Sequence, residues 1–362
     1  MAEFSRPGRL GDARLTAATD PRLDPRLREV IAAGAALSAA VEEPDPAAGY
    51  EAALRYCAAF EQLAASSHPL ERAAMPERPD VVVHREQISS QDGAAITLYI
   101  HAPRERHGPL PAILHTHGGG MVLMSAADPG FERWRTELAH RGAVVVGVEF
   151  RNGGGALGNH PFPAGLTDCV AASQWLHEQR QALDLSAIVA SGESGGGNLA
   201  IATTLAARAE GALARIDGVY AFCPYISGSY AQQPASLPSL EENADYVISN
   251  AAMTALVRVY DPQQEHGANP LAWPLQAGAE DLAGLPPHVI SVNELDPLRD
   301  EGLAFYRKLL AAGVPATART VHGTTHAGDL AFPDLVPDVY ADSARSLLAF
   351  ARDLAGGITA QA

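Results

Sequence analysis

Hydrophobic positions change their period along the chain. In residues 30–41 (VIAAGAALSAAV) and 52–66 (AALRYCAAFEQLAAS), Ala and Leu recur at helical spacing, and the breaker run Glu43-Pro44-Asp45-Pro46 separates the two stretches. They predict a helical region over 1–80, punctuated by proline from 69 to 79. From residue 81 the texture becomes β-rich. VVVHREQI (81–88) and AITLYIH (95–101) flank the turn signal Ser90-Gln91-Asp92-Gly93 and predict an antiparallel pair. Strand-like runs then follow at 111–117, 143–150, 187–191, 218–223, 287–293 and 317–321, with helical runs at 131–142, 164–181, 195–209, 303–313 and 338–354. AVVVGVEF (143–150) is apolar on both faces, as a buried parallel strand requires. Such alternation predicts an α/β fold, a mostly parallel sheet of about eight strands with helices on both faces.

The alternation stops between 224 and 286. That segment is rich in Pro, Ser, Asn and Gln and holds one amphipathic stretch, AAMTALVRVY (251–260). It is too long for a plain loop and reads as a functional insertion. With residues 1–80 it is expected to form a mainly helical cap over the carboxyl edge of the sheet, where open α/β folds place their sites. The organisation expected is therefore a cap segment at 1–80, a first part of the catalytic domain at 81–223, a cap insertion at 224–286, and a second part at 287–362.

Composition narrows the function. The 362 residues carry 26 Lys+Arg against 42 Asp+Glu, a formal charge of −16, which argues against nucleic acid or an anionic membrane as partner. A hydrophobic fraction of 47% is enough for a large core and excludes disorder as the main state. Three scattered cysteines, Cys57, Cys169 and Cys223, form no zinc spacing and no disulfide framework and are read as free thiols. The amino terminus has no signal-peptide pattern and no run is long enough to span a membrane, so a cytoplasmic protein is the expectation. Arginine outnumbers lysine 25 to one (Lys308), a bias read as codon composition.

The strongest local motif is Gly192-Glu193-Ser194-Gly195-Gly196, a G-x-S-x-G pattern between a predicted strand and a predicted helix. Its glycines permit a tight elbow that lifts the Ser194 hydroxyl to a helix N-terminus, with its free N–H groups and partial positive charge. A second motif, His117-Gly118-Gly119-Gly120, follows the strand at 111–117. Its uncovered amides at Gly119 and Gly120, with that of Gly195, can form an oxyanion hole. A phosphate-binding loop is the rival reading, but the lysine and its spacing are missing. His115 and His117 share a strand face and could ligate a metal, but no carboxylate stands at ligand spacing. An activated serine needs a base and an orienting acid, expected in the order Ser, acid, His. His266 lies in the insertion and His288 inside a strand, which leaves His322 and His326 at the exit of the last strand. Among Glu294, Asp296, Asp300 and Glu301, the last two fall in the first turn of a helix, and Asp296, before Pro297, is the better acid. Asp168 is read as an ion-pair partner of Arg151, Glu193 as structural, and the Met and aromatic residues of 246–260 as cap packing.

Taken in order, His117-Gly118-Gly119-Gly120, Gly192–Asn198, Asp296-Pro297-Leu298-Arg299-Asp300-Glu301-Gly302 and His322-x3-His326 resemble the hormone-sensitive-lipase-like branch of α/β-hydrolases, the bacterial family IV esterases. The resemblance covers about residues 80–355. It implies an α/β-hydrolase fold and a triad of Ser194, Asp296 and His326, the first Asp of D-P-L-x-D and the second His of H-G-x-x-H. The expected enzyme is a serine carboxylesterase working through an acyl-enzyme, with no metal or organic cofactor, on esters of short to medium acyl length, aryl esters or macrocyclic lactones. Lactonase, amidase or acyltransferase chemistry would use the same triad, and a non-catalytic small-molecule binder is the remaining alternative. A homodimer is a further expectation from relatives. Most relatives have Asp at 193 and Ala at 195, where one subgroup shares the Glu and Gly found here. They also carry aromatic residues at Met121 and Thr324, two positions expected to shape the pocket.

Overall fold

A computed structural model describes residues 6–45 and 49–356. Eight strands form one sheet, β1 (Val81–Ser89), β2 (Ala95–Pro103), β3 (Leu110–Thr116), β4 (Val144–Glu149), β5 (Leu185–Glu193), β6 (Gly218–Phe222), β7 (His288–Leu295) and β8 (Ala316–Thr325). Their spatial order is β1-β2-β4-β3-β5-β6-β7-β8. The β1–β2 and β2–β4 pairs are antiparallel and all others are parallel. Ser90-Gln91-Asp92-Gly93 closes the β1–β2 hairpin, with Gly93 at φ 85°.

Strand alternation divides the core into two faces. Ala112, Leu114, Val144, Val146, Val148 and Ile188 face the helices Ala164–Glu178 and Gly195–Ala209. Ile113, Val145, Val189, Tyr220 and Phe222 face Pro129–His140 and Pro337–Ala355. Helix Arg299–Ala311 covers Ile290 and Val292 through Phe305 and Leu309. It begins four residues earlier than its periodicity predicts.

The two segments outside the alternation meet. Helix Tyr50–Ala65 packs on helix Asn250–Tyr260, and Ala53, Tyr56, Cys57, Met253, Val259 and Tyr260 join the sheet's first core. The expectation of helix throughout 1–80 is corrected by residues 7–27. They form only three 3-10 turns, Gly8–Leu10, Ala17–Thr19 and Pro25–Leu27, before helix Arg28–Ser38. Pro7, Pro21 and Pro25 interrupt helical hydrogen bonding there. This stretch packs instead beside the ends of β7 and β8, where Leu23, Leu27 and Ile31 join Tyr246, Leu295 and Val336. Pro46 of the breaker run lies outside the described residues. No helix among the described residues is long and apolar enough to cross a membrane.

Candidate active site

Every candidate group follows directly on the end of a parallel strand. His117 follows β3, Ser194 follows β5, Asp296 follows β7 and His326 follows β8. Strand register brings these ends to one edge, with Thr116 beside Gly192, Glu193 beside Phe222 and Leu295 beside Thr325.

Ser194 adopts φ 56° and ψ −119° and is the N-cap residue of helix Gly195–Ala209. A non-glycine residue held there costs about 1–3 kcal/mol and persists only where its surroundings over-determine it. Here Ser194 N–H donates to Phe222 O (3.0 Å), and Ser194 O accepts from Asn198 N–H and Tyr225 N–H (both 3.0 Å). The flanking glycines are required by close approach. A Cβ on Gly192 would lie 2.3 Å from Thr116 O, and one on Gly196 would lie 1.9 Å from the same oxygen. A Cβ on Gly195 would meet the Gly120 and Met121 nitrogens at 2.6 Å, so the amide-rich loop lies directly against the residue after the serine.

That loop turns sharply through Gly119 (φ 96°) and Gly120 (φ 62°). Glu193 anchors its start. Its carboxylate accepts from Gly118 N–H (2.9 Å) and lies 3.1 Å from His115 Nε2. His117 donates through Nδ1 to Gly118 O (2.8 Å) and stacks on Phe150. Burial pushes its pKa down to about 3, so the ring is neutral and acts as packing. His115 and His117 are thus engaged separately.

Only one of the four later histidines meets the candidate acid. His326 Nδ1 lies 2.8 Å from Asp296 Oδ2, and Asp296 Oδ1 accepts from Leu298 N–H (2.9 Å). His322 is exposed and paired with Glu294, His266 packs on Phe162, and His288 is buried against Pro286 O. Burial opposes a charge on His326. The Asp296 carboxylate and the Cys223 sulfur outweigh it and hold its pKa well above the usual histidine value. Glu294 binds Gly323 N–H, Asp300 binds Ser239 N–H, and Glu301 accepts from Ile226 N–H and Tyr230 O–H. Burial raises Glu301 to about 8.

Three features escaped the sequence reading. Cys223, one residue past β6, offers its sulfur within 4.8 Å of Asp296 and His326 donor atoms, the one such potential metal-ligand group among the described residues. A buried network carries the loop of His326, with Asn293 Nδ2 donating to Thr324 Oγ1 and Asp329 Oδ1, and Ser343 donating to Asp329. Thr324 is therefore a loop anchor, and both it and Met121 are buried. A cavity of about 790 Å³ opens beside the site, flanked by Glu193 and Ala327, the chain neighbours of Ser194 and His326. Ala58, Glu61, Ala64 and Ala65 of the helix Tyr50–Ala65 also line it. Asp168 forms the expected ion pair with Arg151 (2.8 Å), and Tyr246, Met253 and Tyr260 are buried in packing.

A family model described as alpha/beta hydrolase fold matches residues 113–329. The solved structure of brefeldin A esterase, titled a bacterial homologue of human hormone-sensitive lipase, superimposes with a TM-score of 0.91 at 44% identity, covering 97% of this chain and 99% of that one. The wording of HPFPAGLTDC (160–169), GESGGGNLAIATTL (192–205) and NELDPLRDEG (293–302) resembles the same protein. The structure of esterase Est22 matches with a TM-score of 0.81 at 36% identity over 92% of this chain and 98% of its own. Esterase LipI of Mycobacterium tuberculosis is 35% identical over 66% of this chain and 72% of its own length. Carboxylesterase NlhH of the same organism is 30% identical over 76% and 84%. The chain belongs to the α/β-hydrolase family, in its hormone-sensitive-lipase-like branch, and is a carboxylic ester hydrolase.

Proposed function

We propose that the protein is a serine carboxylesterase in which Ser194, His326 and Asp296 act as a triad. The carrying observation is the His326–Asp296 hydrogen bond at the same sheet edge that holds Ser194 in its left-handed elbow. Ser194 Oγ attacks the ester carbonyl carbon, and its proton passes to His326 Nε2. Asp296, bonded at Nδ1, holds the ring orientation and stabilises the imidazolium. The Gly119, Gly120 and Gly195 N–H groups receive the oxyanion. Collapse of the tetrahedral intermediate expels the alcohol, which takes the proton from His326. Water then attacks the acyl-serine with His326 again as base, releasing the carboxylic acid.

The substrate reading is carboxylic esters of short to medium acyl length, with aryl esters and macrocyclic lactones included, and the 790 Å³ cavity supports room beyond an acetyl group. The cap reading, residues 1–80 with 224–286, is supported by the packing of helices Tyr50–Ala65 and Asn250–Tyr260 above the glycine loop, where Leu256 lies against Gly120. Three unpaired, buried thiols support action in the reducing cytoplasm.

The test is Ser194→Ala. Hydrolysis of a p-nitrophenyl ester is expected to fall by about 10⁴-fold or more, and stoichiometric labelling by an organophosphate to disappear. A variant with wild-type turnover would overturn the reading. Supplying a second alcohol as acyl acceptor distinguishes hydrolysis from acyl transfer.

A further inference from the structure

The helix Tyr50–Ala65 rests on the catalytic domain mostly through apolar side chains, with two polar contacts besides, Tyr50 O–H donating to Asn159 Oδ1 (2.9 Å) and Glu61. Glu61 spends both carboxylate oxygens on backbone amides of two separate loops. Oε1 accepts from Met124 N–H and Oε2 from Ala156 N–H, each at 2.6 Å. Both are charge-assisted hydrogen bonds, the stronger kind. Met124 ends the turn that carries Gly119 and Gly120, and Ala156 ends the glycine run 153–155. The two loops are already zipped together. Gly153 N–H donates to Met121 O (2.9 Å), Gly154 N–H to Val122 O (3.1 Å), and Asn152 Nδ2 to Met124 O (2.6 Å).

The backbone at this junction is bent to suit the carboxylate. Met124 sits at φ 73° and Gly155 at φ 67°. A Cβ on Gly155 would lie 2.7 Å from both Glu61 oxygens, so the glycine run leaves room for this one side chain. Glu61, Met124, Gly155 and Ala156 also share the wall of the 790 Å³ cavity.

We propose that Glu61 is a positioning residue, a carboxylate staple through which the amino-terminal helix holds the glycine loop so that the Gly119 and Gly120 amides point at the oxyanion. The proposal rests on the oxyanion-hole reading above. Without the staple, the Met124 and Ala156 amides lose their acceptor, and the turn relaxes at its end farthest from β3. The ester still enters the cavity, so the loss falls on the transition state more than on binding.

Kinetics of Glu61→Gln and Glu61→Ala test this, together with a trifluoromethyl ketone as probe. Ser194 Oγ adds to the ketone carbon, the carbonyl electron pair becomes the hemiketal oxyanion, and the serine proton goes to His326. The adduct therefore reads the oxyanion site directly. Loss of a whole oxyanion donor costs about 10²–10³ in rate, and a misaimed loop is expected to cost about 10-fold in kcat for Glu61→Ala. Glu61→Gln, nearly isosteric, keeps one acceptor and turns an NH2 toward one amide, so its loss should be intermediate. KM should stay within about threefold, and the ketone Ki should rise in proportion to the loss in kcat/KM. Active-site titration counts folded enzyme in each preparation, and Glu61→Gln carries the test if Glu61→Ala does not fold. Wild-type kcat and Ki in the Gln variant, or a kcat loss explained entirely by fewer titratable sites, would overturn the staple. Should Ser194→Ala remain as active as wild type, the triad reading fails instead, and the two failures are distinguished.

Discussion

At the scale of single residues, the site depends on positions where a side chain has no room and on one pair that shares a proton. Gly119 has φ 96°, and a Cβ there would lie 2.3 Å from Leu123 O, a backbone atom that cannot swing aside. Gly119→Ala is therefore expected to deform the loop and lower kcat/KM by at least about 10²-fold, the scale of a lost oxyanion donor, in steady-state assays. Asp296 makes a different prediction. In the proposed triad His326 must be neutral to act as base, and the adjoining carboxylate, outweighing burial, raises its pKa above the usual value of 6.5. Activity should thus rise with pH along an acid limb displaced upward from the ordinary histidine range. In Asp296→Asn that limb should move down in pH while kcat drops by about 10⁴, because the ring loses both its counter-charge and its enforced tautomer. A limb that stays in place in the variant would show that another group titrates.

Among the elements, the parallel strands and their helices were legible because each obeys its own period. β8 runs to Thr325, four residues past its apolar pattern, because the polar Thr324 and Thr325 are buried. The sequence gives no sign that Thr324 is satisfied by Asn293 of β7. The amino-terminal turns were misread as helix because apolar content says nothing about hydrogen bonding around three prolines. Their anchor is ionic. Arg22 pairs with Asp20 and Glu242, and Glu242 pairs again with Arg299, three residues after Asp296. Asn243, beside Glu242, donates to Asp296 O (3.0 Å). Arg22→Ala would strand the buried Asp20 and Glu242 carboxylates, and a stability loss of about 2–3 kcal/mol is expected in urea titrations, below the range for fully buried pairs since Arg22 is partly solvated. Burial would raise the Glu242 pKa, but Arg299 and Arg22 more than compensate and depress it. The contribution is therefore present above the unfolded carboxylate pKa and fades as pH falls below about 4.3 through the folded value. The gap between wild type and Arg22→Ala should narrow at pH 3. An undiminished gap there would point to packing of the arginine stem instead.

Over the whole molecule, the cavity is assembled from distant pieces. Residues 58–71 meet 124–134, 155–157 and 327–331 around one space. Ala64→Phe, in the cavity lining, is expected to reduce kcat/KM for hexanoyl or aryl esters about 10-fold and leave acetyl esters nearly unchanged. That is the scale of about one methylene in an apolar pocket. Equal loss across an acyl series would place the substrate elsewhere.

The order of motifs, the alternation of short apolar runs with helical ones and the glycines at 119, 192 and 196 are local properties, so they could be read from the chain alone. They determined the fold class, the candidate nucleophile and, through the family resemblance, Asp296 and His326 as candidate acid and base. A separation of 30 residues between Asp296 and His326 carries no distance information, and only β7–β8 register brings the two groups to 2.8 Å. Nor does anything local in EQLAAS announce that Glu61 will find two amides, 63 and 95 residues away. Period and motif follow from neighbours in sequence. The contact of Asp296 with His326 and not His322, the burial of Thr324 and the closure of the cavity follow from which strand ends and loops packing brings together.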